Sequence, residues 1–303
     1  MDTKAHRAFV DELPEPALAP GEVLVASKVV GLCRSDIELL HGSLDGQLPV
    51  PAPIVPGHEW SGVVVAAADD VTGFSPGDRV VGECVIADNH WFGFSYHGAA
   101  SEVFAVPARL LHRFPDSMGF DVAALIEPFT IAYNAIREVG GVQPGDTAVV
   151  IGAGMIGLAS TSIARAMGAR VVVIEPSERR GELARQLGAA EVHASAGDTS
   201  GADLVIEASG TAGGIASTFG LARFGGRIAQ IGICGDDDIT APLRLIQAKN
   251  LTVRGVTGSA GVWPEAIAFL LRHEIDLSPV ITARFPLEQL DDAIAATASG
   301  NVK

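Results

Sequence analysis

The run Val149-Val150-Ile151-Gly152-Ala153-Gly154-Met155-Ile156-Gly157 constrains the fold more than any other feature of the 303-residue chain. A strand apolar at every position must be covered on both faces, which is the setting of a parallel sheet. The strand runs into G-x-G-x-x-G, and the helical pattern Leu158 to Met167 follows. Each glycine has a physical job. Gly152 permits the tight turn, Gly154 lets backbone approach a pyrophosphate at the helix N-terminus, and Gly157 lets the helix pack closely on the strand. The next strand ends at Glu175, 23 residues after Gly152. A carboxylate there can accept hydrogen bonds from both ribose hydroxyls and repels a 2′-phosphate. Strand, helix and acidic residue in register describe a dinucleotide-binding turn.

The downstream texture agrees. Apolar strand candidates (Thr147 to Ile151, Val171 to Ile174, Leu204 to Glu207, Arg227 to Ile231, Leu251 to Val253) alternate with helical stretches (Leu158 to Met167, Glu178 to Leu187, Ile215 to Arg223). Such alternation predicts an α/β, doubly wound parallel sheet with helices on both faces. Candidate cofactor contacts are Gly152, Gly154, Met155, Ile156, Gly157 and Glu175, with Gly210, Gly232 and Ile233 at the carboxyl ends of later strands. Arg179 and Arg180 follow Glu175, and a guanidinium could cradle a 2′-phosphate. Arg179 reads as a solvated helix residue, whereas Arg180 is open between stacking on adenine and solvation. The carboxylate at the ribose favours NAD over NADP.

The first part of the chain, to about residue 110, is different: short apolar pieces such as Glu22-Val23-Leu24-Val25, Gly62-Val63-Val64-Val65, Gly77-Asp78-Arg79-Val80-Val81 and Val103-Phe104-Ala105-Val106 are separated by turn signals. That spacing predicts a β-rich, barrel-like domain. The tail reads as a helix from Pro264 to His273, then an extended segment from Val280 to Phe285; Ala5 to Val10 reads as a weak strand. With 21 Lys and Arg against 36 Asp and Glu, the formal charge of −15 repels nucleic acid and anionic membrane surfaces alike. No signal-peptide core or long apolar run occurs, so a cytoplasmic protein is expected. Three cysteines, Cys33, Cys84 and Cys234, are too few and too scattered for a secreted disulfide framework.

Three pieces of the first domain supply zinc-type ligands: Cys33 in Gly-Leu-Cys-Arg-Ser-Asp, His58-Glu59 in Pro-Gly-His-Glu-Trp, and Glu127 in Leu-Ile-Glu-Pro. Thiolate, imidazole and carboxylate are the groups that leave zinc Lewis-acidic with an open position. In their order and context these motifs resemble the zinc-dependent medium-chain dehydrogenase/reductase family, the alcohol and polyol dehydrogenases. The resemblance runs from the Glu-Val-Leu-Val strand through Gly-Asp-Arg-Val and G-x-G-x-x-G to Phe285-Pro286-Leu287. It implies a GroES-like catalytic domain (1–130 and 262–303) and a Rossmann NAD-binding domain (131–261). It also implies Cys33, His58 and Glu127 as zinc ligands, with Glu59 an alternate ligand. Ser35 would pass the substrate proton, and Asp36 would orient His58. A Glu at the third ligand position resembles the sorbitol, butanediol and threonine dehydrogenase branches. The small-molecule partner would be an alcohol or ketone, and the assembly a homodimer or homotetramer pairing edge strands near Leu251 to Val253.

Departures from the family pattern are equally readable. With Cys33 assigned to the catalytic site, only Cys84 and Cys234 remain, so one zinc per chain and no structural zinc is expected. Both read as packed thiols. The lobe that carries a structural zinc in relatives is shortened to about residues 82–98. Glu38, two residues after Asp36, reads either as a proton relay or as a solvated helix residue. Neither chain end is expected to touch the chemistry. Glu83, Asn89, His90, Trp91, Phe92, Tyr96 and His97 are expected to rim the cleft and suit a polyol, sugar or aminocyclitol. Two other readings stay open: a zinc-free, NADPH-dependent quinone or enoyl reductase of the same fold, and a non-catalytic dinucleotide-binding sensor.

Overall fold

The computed structural model describes residues 1–44, 48–88, 90–235, 238–300 and 303. Two compact units emerge, Met1–Glu127 with Leu277–Lys303, and Pro128–Asp276.

In the first unit β1 (Glu22–Gly31), β2 (Glu59–Ala67), β3 (Arg79–Gly82), β6 (Val103–Pro107) and β7 (Leu111–Arg113) form an antiparallel sheet in the order β6-β1-β2-β3-β7. A separate hairpin, β4 (Val85–Ala87) with β5 (His90–Trp91), projects after β3. Val23, Val25, Val64, Val80, Phe104 and Val106 close the core around Trp60, which Phe92 and Phe104 flank. The helices α1 (Arg34–Leu40) and α2 (Phe120–Ala124) follow β1 and β7 respectively.

The Gly-Asp-Arg-Val motif has its own structural use. Arg79 on β3 lies between the Phe114 and Phe120 rings, 4.7 and 4.3 Å from their centroids. Its guanidinium donates to the carbonyls of Asp116 at 2.7 Å and Met118 at 2.6 Å. One side chain thus ties the sheet to the 114–120 segment by cation–π contact and charge-assisted hydrogen bonds.

The second unit opens with α3 (Ile126–Glu138), whose first two residues belong to the preceding unit. Its sheet is parallel and six-stranded: β10 (Glu191–His193), β9 (Arg170–Ile174), β8 (Thr147–Ile151), β11 (Ala202–Glu207), β12 (Ala222–Gln230) and β13 (Thr252–Gly255), in that spatial order. The chain moves outward from β8 through β9 to β10 and restarts at β11 on the other side of β8, so the order switches between β8 and β11. In such sheets the carboxyl ends at the switch carry the ligand. The helices α4 (Met155–Ala166), α5 (Glu178–Gln186) and α6 (Ala212–Leu221) pack on these strands; α7 (Arg244–Ala248) and α8 (Trp263–Arg272) follow, and α9 (Leu290–Ala298) lies in the first unit.

Three tail expectations change. Residues 262–276, expected with the first domain, fall in the second unit, because α8 is fastened to α3. The Tyr133 hydroxyl donates to Glu265 at 2.8 Å, the Tyr133 and Phe269 rings lie 5.3 Å apart, and the buried Trp263 indole donates to Ser259. Val280 to Phe285 forms no strand beyond a 3-10 turn at Ser278–Val280. Ala5 to Val10 contributes only an isolated pairing of Arg7 with Asp2. Neither segment finds a neighbouring strand, and an apolar run without a partner does not become one.

Replacing Arg79 by Met keeps the apolar stem and removes the charge and its donors. Urea unfolding is expected to show a loss of about 3 kcal/mol. A loss under about 1 kcal/mol would mean that the stack does not stabilise this unit.

Candidate metal centre and dinucleotide crevice

Cys33 stands at the start of α1, and Asp36, fully buried one turn on, accepts the Cys33 backbone N–H through Oδ2 at 2.7 Å. Its other oxygen, Oδ1, faces His58 Nδ1 at 3.5 Å. His58 arrives on the loop that ends in β2. Gly98 N donates to Val55 O at 2.7 Å, Ala99 N to Gly57 O at 2.9 Å and Ala100 N to Pro56 O at 3.0 Å. This close backbone approach requires glycine: a Cβ on Gly98 would stand 2.5 Å from the Gly57 oxygen. The His58 ring lies 4.7 Å from that of Phe94.

A sulfur of Cys33, a ring nitrogen of His58 and a carboxylate oxygen of Glu59 all lie within 4.8 Å of one another, the only such group among the described residues. Glu127, the other expected ligand, is buried in the first turn of α3 outside that tight group. Burial, reinforced by Glu59 and opposed by His58, pushes its carboxyl up to about 7. Burial would depress His58, but Asp36 and Cys33 outweigh it and hold the imidazole well above its usual range. Ser35 is half-buried between Cys33 and Asp36 in sequence. Glu38 pairs with Arg34 at 3.6 Å, and partial burial raises its carboxyl.

The chain end corrects an expectation. Lys303 Nζ lies against Glu59 Oε2 and 3.4 Å from the Leu32 carbonyl, so one end does touch this site. Burial opposes its charge, but Glu59, Cys33 and Glu127 hold its pKa above the usual lysine value. Asn301 and Val302 lie outside the described residues.

The donor set fits zinc. Asp36 Oδ1 and His58 Nδ1 are buried and face each other with no hydrogen bond formed. That is the arrangement of an outer carboxylate waiting to fix a ligand imidazole, leaving Nε2 for a metal. Cys33, His58 and the carboxylates of Glu59 and Glu127 supply the soft and anionic donors a catalytic zinc takes.

Of the expected rim, Phe92 is core: it is 1% exposed and forms an aromatic cluster with Trp60 and Phe104. Glu83 is buried and its carboxylate meets His112 Nε2 at 2.9 Å. His97 Nδ1 accepts from Val55 N, His90 Nδ1 stands 2.8 Å from the Asp88 carbonyl, and Tyr96 is exposed. Trp91 packs in a small cluster with Cys84 and Phe94; Asn89 lies outside the described residues. Cys84 is buried, donates to the Phe92 carbonyl at 3.3 Å and is held protonated by burial; Cys234 is half-buried and free.

In the second unit Gly152 takes φ +90°, and a Cβ on Gly157 would stand 1.9 Å from the Gly152 oxygen, so α4 sits directly on the turn. Gly154 opens onto free space at the start of that helix, followed by the half-buried Met155 and Ile156. Glu175 is buried; Oε2 accepts from Ala153 N at 2.8 Å and Oε1 from Ser177 N at 2.9 Å. Arg180 Nη1 lies 3.9 Å from that carboxylate, and Arg179 is exposed. Gly210 and Gly232 pack backbone to backbone at the ends of β11 and β12, while Ile233 projects 68% exposed. Glu207, buried beneath them, was not among the sequence candidates; its signal was an acid ending an otherwise apolar strand.

Residues 19–116 match the alcohol dehydrogenase GroES-like domain, and residues 156–272 match the zinc-binding dehydrogenase model. The chain belongs to the zinc-binding alcohol and polyol dehydrogenase family. Among curated relatives, an L-threonine 3-dehydrogenase of Yersinia pestis (strain Pestoides F) is 29% identical, over 96% of this chain and 93% of that protein. An alcohol dehydrogenase of E. coli CFT073 complexed with NADH superposes with a TM-score of 0.88 at 26% identity, covering 97% of this chain and 93% of that one. The 2R,3R-butanediol dehydrogenase of Bacillus subtilis gives 0.85 at 25% identity, with 97% and 93% covered. The family-level activity is that of an NAD(H)-dependent oxidoreductase of alcohols and ketones. Among the described residues no helix is long and apolar enough to cross a membrane.

Protons compete with metal for this site, because His58 is raised and Glu127 stands at about 7. Both must lose protons to ligate, so zinc affinity is expected to climb as pH rises from about 6 to about 8. Chelator competition across that range tests it, and a flat profile would exclude these two groups as ligands.

Proposed function

We propose that this chain interconverts a secondary alcohol and its ketone with NAD(H), on a polyol, sugar or aminocyclitol substrate. The observation that carries the reading is the close group of half-buried Cys33 with buried His58 and Glu59, with Asp36 bonded to the Cys33 backbone and facing His58.

Cys33 and His58 would hold a single zinc with Glu127 as third ligand and Glu59 as alternate, while Gly152 to Gly157 and Glu175 would hold the dinucleotide. A bound zinc would supply Lewis acidity that lowers the pKa of the substrate hydroxyl, and a bound nicotinamide would supply the hydride acceptor or donor. Asp36 fixes the His58 tautomer and ring plane. Ser35 passes the substrate proton on, giving up its own hydroxyl proton towards solvent as it accepts the substrate's, and Lys303 holds Glu59 through its ion pair. At the ribose, Glu175 presents a carboxylate to the hydroxyls, and the same charge disfavours a 2′-phosphate, which supports NAD as the preferred cofactor.

The substrate class rests on the acidic ligand set and on the polar groups at His90, Tyr96 and His97. It is supported by the two relatives whose names specify L-threonine and 2R,3R-butanediol, each a secondary alcohol with a second polar group. For the assembly, the proposal is a homo-oligomer paired through β13, an exposed edge strand whose free backbone groups offer a pairing surface.

Protein purified without chelator is expected to carry about one zinc per chain by plasma mass spectrometry. Cys33→Ala and His58→Ala should each abolish turnover while leaving NADH binding in place. Full activity in either variant would overturn the assignment. In a panel of sorbitol, butanediol, cyclitols, threonine and benzyl alcohol, preference for benzyl alcohol over every polar substrate would refute the substrate class.

A further inference from the structure

Glu207 is the last residue of β11, fully buried, and among the described residues no Lys, Arg or His pairs with it. Uncompensated, a carboxylate in that position carries a large desolvation cost. Here its partners are all neutral donors. Oε1 accepts from Ser209 N at 2.9 Å, Ser209 Oγ at 2.5 Å and Gly210 N at 3.2 Å, and Oε2 accepts from Gln230 Nε2 at 2.9 Å. Those donors come from two separate segments, the loop after β11 and the last residue of β12. Gln230 also donates to the Gly232 carbonyl at 3.1 Å, and Gly232 N returns to the Glu207 backbone oxygen at 3.0 Å.

The packing leaves no slack around this carboxylate. A Cβ on Gly232 would stand 2.4 Å from Glu207 Oε2 and 2.2 Å from Gly210 N, and one on Gly210 would stand 2.3 Å from the Ile233 oxygen. Ser209 in turn abuts the fingerprint turn, since a Cβ on Gly152 would meet its backbone at 3.0 Å, and Ala208 N donates to Ile151 O at 2.9 Å. One acid therefore contacts both loops, and through Ser209 it bears on the glycine turn at the point where the strand order switches.

We infer that Glu207 is a positioning residue for the dinucleotide: it locks the 208–211 and 230–233 loops into one unit and shapes the crevice floor against Gly152. The inference rests on the NAD(H) reading of this crevice. It requires two acceptor oxygens on the side chain, one for each set of donors. A glutamine is nearly isosteric but offers one oxygen, and its NH2 must face a neighbour that is itself a donor.

Two measurements on the full-length protein separate this role from a general contribution to stability. Hydrogen exchange without cofactor is expected to speed up in Glu207→Gln at both 208–211 and 230–233, with the peptides of the first unit unchanged. The Kd for NADH, read by fluorescence, is expected to rise about tenfold, with KM for NAD following it, kcat within about threefold and zinc content unaltered. Gln230→Leu, which removes one of the carboxylate's donors together with the bond to the Gly232 carbonyl, is expected to give a smaller change of the same kind, and it carries the test if Glu207→Gln does not fold. A variant that melts at lower temperature but keeps parental exchange in both loops and parental NADH affinity overturns the inference. Exchange coupled at both loops in a parent chain that binds no NADH would retain Glu207 as the lock and remove the cofactor reading instead.

Discussion

The candidate metal site depends on one buried side chain. Asp36 holds the backbone of Cys33 with one oxygen and faces the His58 imidazole with the other, so a helix start and a distant loop meet at one carboxylate. Around it Glu59, Glu127 and Cys33 gather more acidic groups than a buried volume tolerates without a cation. The protein answers in three ways visible in the structure: a protonated tendency at Glu127, a raised imidazole at His58, and the ammonium of Lys303 on Glu59. A site that gathers protons and an ammonium in this manner is built for positive charge, and its thiol and imidazole donors suit a transition metal better than a hard cation.

The dinucleotide crevice is organised by a different constraint, the closeness of backbone to backbone. Gly157 lets α4 rest on the Gly152 carbonyl, Gly152 lets the turn rest on Ser209, and Gly232 lets the β12 loop rest on Gly210. Side chains would hold these segments apart. With side chains absent, the loops need another source of rigidity, and hydrogen bonds to the buried Glu207 supply it. The crevice is thus made of main chain, fixed from below by one acid.

What was legible in the sequence follows from how local each signal is. The parallel sheet could be read because Val149 to Ile151 and Leu204 to Ile206 are apolar at every position, and the glycine spacing marks the turn within a few residues. Cys33, His58 and Glu127 could be chosen because each sits in a short motif of fixed context. Phe92 could not be placed, since an aromatic residue in a shortened lobe reads equally as rim or core, and only its tilted contacts with Trp60 and Phe104 decide it. The association of α8 with the second unit was hidden for the same reason: it is made by Tyr133 meeting Glu265 and Phe269, more than a hundred residues away in the chain.

By itself, the sequence determined the two kinds of sheet, the glycine turn of the dinucleotide fold and the family, because those depend on periodicity and on contiguous motifs. The tertiary structure alone decided which acids share a volume. It put Glu59 rather than Glu127 in the tight group with Cys33 and His58, brought Lys303 onto Glu59, and put Glu207 beneath two segments. Burial and ion pairing are sums over neighbours from distant parts of the chain, and no local pattern of residues contains them.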